Sequence, residues 1–264
     1  MITHIFLDID RTLTNSQKEI TTRTRQALLQ VQNQGYTVAL CTGRQWLFLD
    51  YMINPLEFFP AERQHIISGG AQICTSQHQI IWQNLIPASL VTTIFAAAKE
   101  ENVLLLTTNN TQILINQPQA AKEFVQTHPV NPQTVIFQPQ YDRPLSLLNC
   151  HHLTPKFLEV LAQNKVHYKL MHTYHDETYI DLTAQGVNKG SALKNWSVLS
   201  RVPLSNIAMV GDSENDLEAL EAVGNPYIMG NAVPALKKFG FPTLADADQD
   251  GLAIWLESLP PISR

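Results

Sequence analysis

Short apolar runs that each stop at a polar or acidic group constrain this chain more than any other feature. The first is Ile5-Phe6-Leu7, which leads into Asp8-Ile9-Asp10. A continuous apolar run of this kind suits a strand buried on both faces, as in a parallel sheet. Residues i and i+2 of a strand point to the same side, so the two carboxylates share a face at the strand's carboxyl end. In open α/β sheets that end is where ligands bind. Two close like charges are costly unless a divalent cation, a shared proton or an ammonium offsets them. A helix N-cap or a solvated turn also uses Asp, so this motif alone leaves a site and a turn both open.

The same pattern recurs along the chain. Residues 21–34, with Ala27, Leu28 and Val31 on one face and Gly35 after them, are expected to form a helix. Residues 36–40 are expected to form a second buried strand running into Cys41-Thr42-Gly43-Arg44, followed by a helix within 46–53 and a strand at 65–68 that ends in Gly69-Gly70-Ala71. Alternating strands and helices imply a parallel sheet with right-handed crossovers. Near Asn84 the pattern changes. Helices are expected at 89–101, 119–126 and 155–164, and strands at 103–108 and 112–115 around Asn109-Asn110, then at 167–171 and 178–182. Pro129, Pro132, Pro139 and Pro144 mark 129–144 as loop or edge strand. The first pattern then resumes: helix 189–199, strand 207–210 ending in Gly211-Asp212-Ser213-Glu214-Asn215-Asp216, helix 217–223, strand 227–229 and a last helix at 250–256. The expected class is α/β: a Rossmann-like doubly wound parallel-sheet core from residues 1–83 and 185–264, with an inserted α+β unit at 84–184.

At 264 residues and 44% hydrophobic, the chain can bury a sizeable core. Its formal net charge of −5 argues against nucleic acid or an anionic membrane as its main partner. Cys41, Cys74 and Cys150 are scattered, offering neither a disulfide framework nor paired metal ligands. Reduced thiols and the absence of a basic leader or long apolar stretch point to a cytoplasmic protein with no membrane span. His151-His152 and His172 with His175 lack the further ligands of a zinc site.

If the strands are parallel neighbours, Asp8, Asp10, Thr42, Asp212 and Asp216 converge on one crevice, with Lys189 opening a helix beside it. A cation site, a hydroxyl and an ammonium together make a phosphate site. Mg²⁺ commonly takes one or two carboxylates and keeps waters and substrate oxygens as its other ligands. Gly43 and Gly211 would let backbone N–H groups approach an anion. A rival centred on Cys41 and Arg44 is disfavoured, because three residues are too few for a thiolate loop that wraps phosphate.

The residues that carry this constellation resemble the haloacid-dehalogenase-like superfamily, in particular its Cof-type phosphatase branch with a large inserted α/β cap. The first family motif, Asp-x-Asp-x-Thr, matches Asp8, Asp10 and Thr12; the second matches Thr42 in Cys-Thr-Gly-Arg. The third matches Lys189 in Gly186-Val187-Asn188-Lys189-Gly190, and the fourth, Gly-Asp-x-x-Asn-Asp, matches Gly211 through Asp216. The Asp-Gly-Leu-Ala segment from Asp250 is similar to the closing helix of the family.

The resemblance implies hydrolysis of a small phosphorylated metabolite through an aspartyl-phosphate. Asp8 would be the nucleophile and Asp10 the general acid and base. Mg²⁺ would be held by Asp8, the Asp10 backbone carbonyl and Asp212. Thr42, Lys189 and Asn215 would bind phosphoryl oxygens or the nucleophile, Gly43 would bind phosphate with them, and Asp216, with Ser213, would support the metal's waters or pair with Lys189. The chain departs from the pattern at Arg11, where the family usually has Gly, and at Gly69, where it usually has Asn. The roles of Arg11 and Arg44 stay open. Cap residues 142–143 and 174–177 are candidates to face the substrate. A catalytically weak phosphate- or metal-binding regulatory protein and a phosphotransferase (mutase) are the alternatives. The expected partner is a small-molecule phosphorylated substrate, with no nucleic acid or membrane, and the expected state is a monomer or weak homodimer.

Overall fold

A computed structural model of the chain describes residues 1–52, 58–109, 111–172 and 178–262. The chain divides into two compact units, Met1–Gly43 with Pro55–Trp82 and Asn188–Arg264, and Arg44–Asn54 with Gln83–Val187.

The first unit is built on a parallel sheet ordered Asn225–Ile228, Ile207–Gly211, His4–Leu7, Thr37–Leu40. A parallel bridge from Cys41 to Ile66 carries it on to strand Gln64–Ile67. The central strands are buried on both faces. Phe6, Ala39 and Met209 join a cluster with Leu193, Trp196 and Leu220, while Ile5, Leu7, Val38, Leu40 and Val210 are equally buried. That double burial is why these segments read as unbroken apolar runs. The register is in step: Leu7 pairs with both Val210 and Leu40. Asp8, Cys41 and Gly211 therefore stand at the same level across the sheet, which sets the next residues side by side.

Helix Thr22–Asn33 starts where Thr21 Oγ1 accepts the Thr24 N–H, and it packs against helix Gly251–Glu257. Helix Lys189–Ser200 lies against helix Leu217–Ala222. That contact is close: a Cβ on Gly190 would stand 2.2 Å from the Glu218 carbonyl oxygen, so the residue after Lys189 must be small.

The second unit carries a six-stranded sheet ordered His167–His172, Thr178–Thr183, Leu148–His151, Leu104–Thr108, Ile113–Ile115, Val135–Phe137. All pairings are antiparallel except the last, which is parallel at the proline-rich edge. Leu105, Leu148, Cys150, Ile180 and Leu182 pack against Val91, Ile94 and Phe95 of helix Ala88–Glu100 and Phe157 and Leu161 of helix Pro155–Gln163. Arg44–Asn54 belongs to this unit, although in sequence it lies inside the stretch expected to form core. Leu47 clusters with Ile113 and Ile115, and the Gln45 amide donates to Thr107 Oγ1, Ser146 Oγ and the Leu147 carbonyl, each at 3.3 Å.

The expected class, a Rossmann-like parallel core with an α+β cap, is borne out. Strands Gln72–Thr75, Ile80–Gln83 and Leu148–His151 and helix Pro234–Lys237 escape sequence reading. In Leu148–His151 the Asn and His hide a strand pattern whose Leu148 and Cys150 face the core. Of the expected hairpin turn, Asn109 accepts the Thr111 and Gln112 N–H groups, and Asn110 lies outside the described residues. Among the described residues no helix is long and apolar enough to cross a membrane.

Candidate active site

Asp8 stands one residue past its strand, tied to the neighbouring strand by its N–H on the Val210 carbonyl at 3.0 Å. The Lys189 ammonium reaches it from the start of its helix, with Nζ 2.8 Å from Asp8 Oδ1 and 2.6 Å from Asp216 Oδ1. Lys189 is 1% exposed and Asp216 fully buried. The helix start that aims Lys189 is capped by Asn188, whose Oδ1 accepts the Ser191 N–H while Ser191 Oγ accepts the Asn188 N–H. Gly70 makes room for that start. It has φ +100, and a Cβ there would stand 2.2 Å from the Asn188 carbonyl oxygen.

Asp216 folds back over the turn that follows Gly211. Its Oδ2 accepts the N–H groups of Asp212 and Ser213 at 3.0 and 3.1 Å. A Cβ on Gly211 would lie 2.4 Å from the Asp216 Cγ, so glycine is required there. Both Asp216 oxygens are thus engaged by the protein, which makes it an anchor for Lys189 and the turn. Asn215 Oδ1 accepts from Ser213 Oγ at 2.8 Å and from Lys189 at 3.3 Å, which leaves its Nδ2 as the donor turned toward Gly43. Thr42 is 1% exposed between Cys41 and Gly43 and is pinned by its N–H on the Ile66 carbonyl and its carbonyl on the Gly69 N–H.

Carboxylate oxygens of Asp8, Asp212 and Asp216 lie within 4.8 Å of one another, the one group of three or more His, Cys, Asp or Glu among the described residues placed to hold a metal ion. Burial pushes the Asp8 carboxyl up to about 7 despite the pull of Lys189, with Asp216 and Asp10 adding repulsion. Burial, then Asp8 and Asp216, push Asp212 up to about 8. Lys189 responds the other way: burial opposes its charge, but Asp216 and Asp8 outweigh it and raise its pKa. One ammonium serves several acids, gaining from each and fully offsetting none. An all-oxygen, anionic cluster with surplus negative charge fits a hard divalent cation. Asp8 and Asp212 are the carboxylates available for it, since Asp216 is already committed to Lys189 and two N–H groups. Asp10 acts on both of them by charge from the adjoining loop.

That loop turns at Arg11, which sits in the left-handed region at φ 59, ψ 14. The conformation accounts for the glycine expected there. Ser68, Gly69 and Gly70 form a second left-handed stretch, at φ 54, 64 and 100. Cys41 is buried and its thiol is raised by burial above all, so it is no thiolate nucleophile. Arg44 and the exposed Asp142 and Arg143 belong to the second unit, and 174–177 lie outside the described residues. His151 stacks on Tyr179 at 5.0 Å, His172's side chain is undescribed, and His175 lies outside the described residues. Sequence reasoning missed Asn231, whose amide donates to the Arg11 carbonyl at 2.8 Å; no spacing from the acidic motifs announces it.

A family model described as haloacid dehalogenase-like hydrolase matches residues 5–256. The chain belongs to that family. The resemblance seen in the motifs is therefore borne out, and with it the hydrolase class. Phosphatase YwpJ of Bacillus subtilis is 25% identical over 97% of this chain and 99% of its own length. The 5-amino-6-(5-phospho-D-ribitylamino)uracil phosphatase YwtE of the same organism is 22% identical over 97% of each. The HMP-PP phosphatase of Yersinia pseudotuberculosis is 24% identical over 88% of this chain and 85% of its own. A haloacid dehalogenase-like hydrolase from Bacteroides thetaiotaomicron superposes with a TM-score of 0.78 at 22% identity, covering 97% of this chain and 99% of that one. A HAD subclass IIB sugar phosphatase gives 0.78 at 20%, covering 97% and 98%.

Proposed function

We propose that this hydrolase removes phosphate from a small phosphorylated metabolite through a covalent intermediate on Asp8. The observation that carries the reading is the buried Lys189 ammonium shared by Asp8 and Asp216, with Asp212 beside them. Asp8 Oδ attacks phosphorus while Asp10 gives a proton to the leaving oxygen. Asp10 then takes a proton from the water that opens the aspartyl-phosphate. Lys189, the Asn215 Nδ2, Thr42 and the Gly43 N–H hold the phosphoryl oxygens and stabilise the charge that spreads over them. Asp216, with Ser213, keeps Lys189, Asn215 and the 211–216 turn in place. Mg²⁺ held by Asp8, the Asp10 carbonyl and Asp212 would offset the repulsion between nucleophile and substrate.

The relatives' names support small phosphorylated compounds as the substrate class. The chain acts alone or as a weak homodimer, in the cytoplasm. Phosphate release from a panel of phosphorylated metabolites, with Mg²⁺ and with EDTA, tests the reading. Release that requires Mg²⁺ is expected. Binding of substrate without any release would favour a regulatory protein, and transfer to a second sugar without free phosphate a mutase.

A further inference from the structure

We infer that Asn231 is a positioning residue for Asp10, bracing the left-handed turn at Arg11 against the 246–250 turn. The inference rests on the acid–base role given to Asp10 above. Asn231 Nδ2 donates to the Arg11 carbonyl at 2.8 Å, and its Oδ1 accepts the Ala247 N–H at 2.9 Å. Both ends of the amide are used, and in opposite senses, so its orientation is defined and only a side chain with one donor and one acceptor fits. The Ala247 end is itself firm, because Asp246 Oδ1 accepts the Asp248 N–H at 2.9 Å and caps that turn.

The loop that Asn231 holds needs holding. Its start is fixed to the sheet through the Asp8 N–H, and its far end by the Ser16 N–H on Asp248 Oδ1 at 2.7 Å. Between them the chain passes through Asp10 at ψ 121 and Arg11 at φ 59, a conformation unfavourable for a residue with a Cβ. Internal bonds from the Arg11 N–H to Thr14 Oγ1 at 3.3 Å and from the Thr14 N–H to the Ile9 carbonyl at 2.9 Å close the turn. Asn231 supplies a contact from outside, on the carbonyl one residue after Asp10. A general acid works only within hydrogen-bond reach of its oxygen, so freeing that peptide costs proton transfer before it costs binding.

Asn231→Asp keeps the size and the acceptor but loses the donor to Arg11. Turnover is compared on p-nitrophenyl phosphate, whose leaving group needs little protonation, and on glycerol phosphate, whose alkoxide must be protonated. In Asn231→Asp the alkyl phosphate is expected to lose about tenfold more turnover than the aryl phosphate, with KM little changed. Both substrates are assayed on one preparation, so a reduced folded fraction cancels in the ratio. Equal losses on the two substrates, or none, overturn the inference.

Amide exchange on the same proteins reads the brace without activity. The Arg11 and Thr14 amides should exchange at least about tenfold faster in the variant, with the Leu7 and Val210 amides unchanged. Unaltered exchange at Arg11 and Thr14 also overturns it. Should the unaltered protein hydrolyse neither these substrates nor any of the metabolite panel, the phosphatase reading fails, and exchange alone decides the brace.

Discussion

The Lys189 ammonium lies 2.8 Å from Asp8 Oδ1, a buried pair drawn from residues 181 positions apart in the sequence. Asp216 shares the same ammonium, so each group's protonation depends on the others. The ion pair is at once a structural contact and a support for the ionised form of Asp8, the proposed nucleophile.

Removing the cation should therefore be costly. Lys189→Met leaves Asp8 and Asp216 buried without a counter-charge, and urea unfolding in EDTA should show a loss of about 3–5 kcal/mol. Adding Asp8→Asn to that variant should restore part of the loss. Strict additivity of the two changes would mean that the groups are not coupled.

Asp8→Asn should abolish function while strengthening the fold. The folded-state pKa of Asp8 is raised from 3.8 to about 7, so its stabilising effect is full below pH 3.8 and fades as pH rises through about 7. Above that, ionised Asp8 is a burden of a few kcal/mol at most, because a tenfold change in proton affinity corresponds to about 1.4 kcal/mol. Without divalent cation at pH 8 the Asn variant should melt higher than the unaltered protein, while phosphate release drops by about a thousandfold or more. Retained turnover would remove Asp8 as nucleophile.

The left-handed backbone of Arg11, at φ 59, costs about 1–2 kcal/mol relative to an ordinary conformation. Arg11→Gly relieves that but adds freedom to the unfolded chain, so a net gain of about 1 kcal/mol or less is expected. Turnover should persist, because Asn231 holds the backbone carbonyl and not the side chain. A lower melting temperature would show that the guanidinium contributes more than the strain costs. A changed rate or substrate range would give it a role in the site.

His65 predicts an acid limit to stability. Its Nδ1 accepts the Leu40 N–H at 3.1 Å and its Nε2 meets Ser76 Oγ at 2.9 Å, which requires the neutral ring. Burial, assisted by Arg63, lowers its pKa from 6.5 to about 3. The unfolded chain then binds the proton first: stability is full above pH 6.5 and declines toward pH 3 with a slope of about 1.4 kcal/mol for each tenfold rise in proton concentration. His65→Asn, which keeps an acceptor for Leu40, should flatten this decline in unfolding measured from about pH 7 to about pH 4. Parallel decline in both proteins would place the acid sensitivity elsewhere.

The parallel strands of the core were legible because they are buried on both faces, which writes them as apolar runs with polar stops. Leu148–His151 was not, since its Asn and His are tolerated on the face turned from the core. The grouping of Arg44–Asn54 with the second unit was equally hidden, because it depends on Leu47 meeting Ile113 and Ile115, far away in sequence.

Residue type and order alone established the family motifs, the acids at strand ends and the chemistry they suit. That information is local, since a strand end, a helix start and a glycine turn each follow from a few neighbouring residues. Tertiary structure decided what those motifs do to one another. It assigned the Asp216 oxygens to Lys189 and two N–H groups, and it joined Asn231 to Arg11 across 220 positions. Those relations arise only when the sheet register sets distant segments side by side, and no spacing along the chain encodes a hydrogen bond between them.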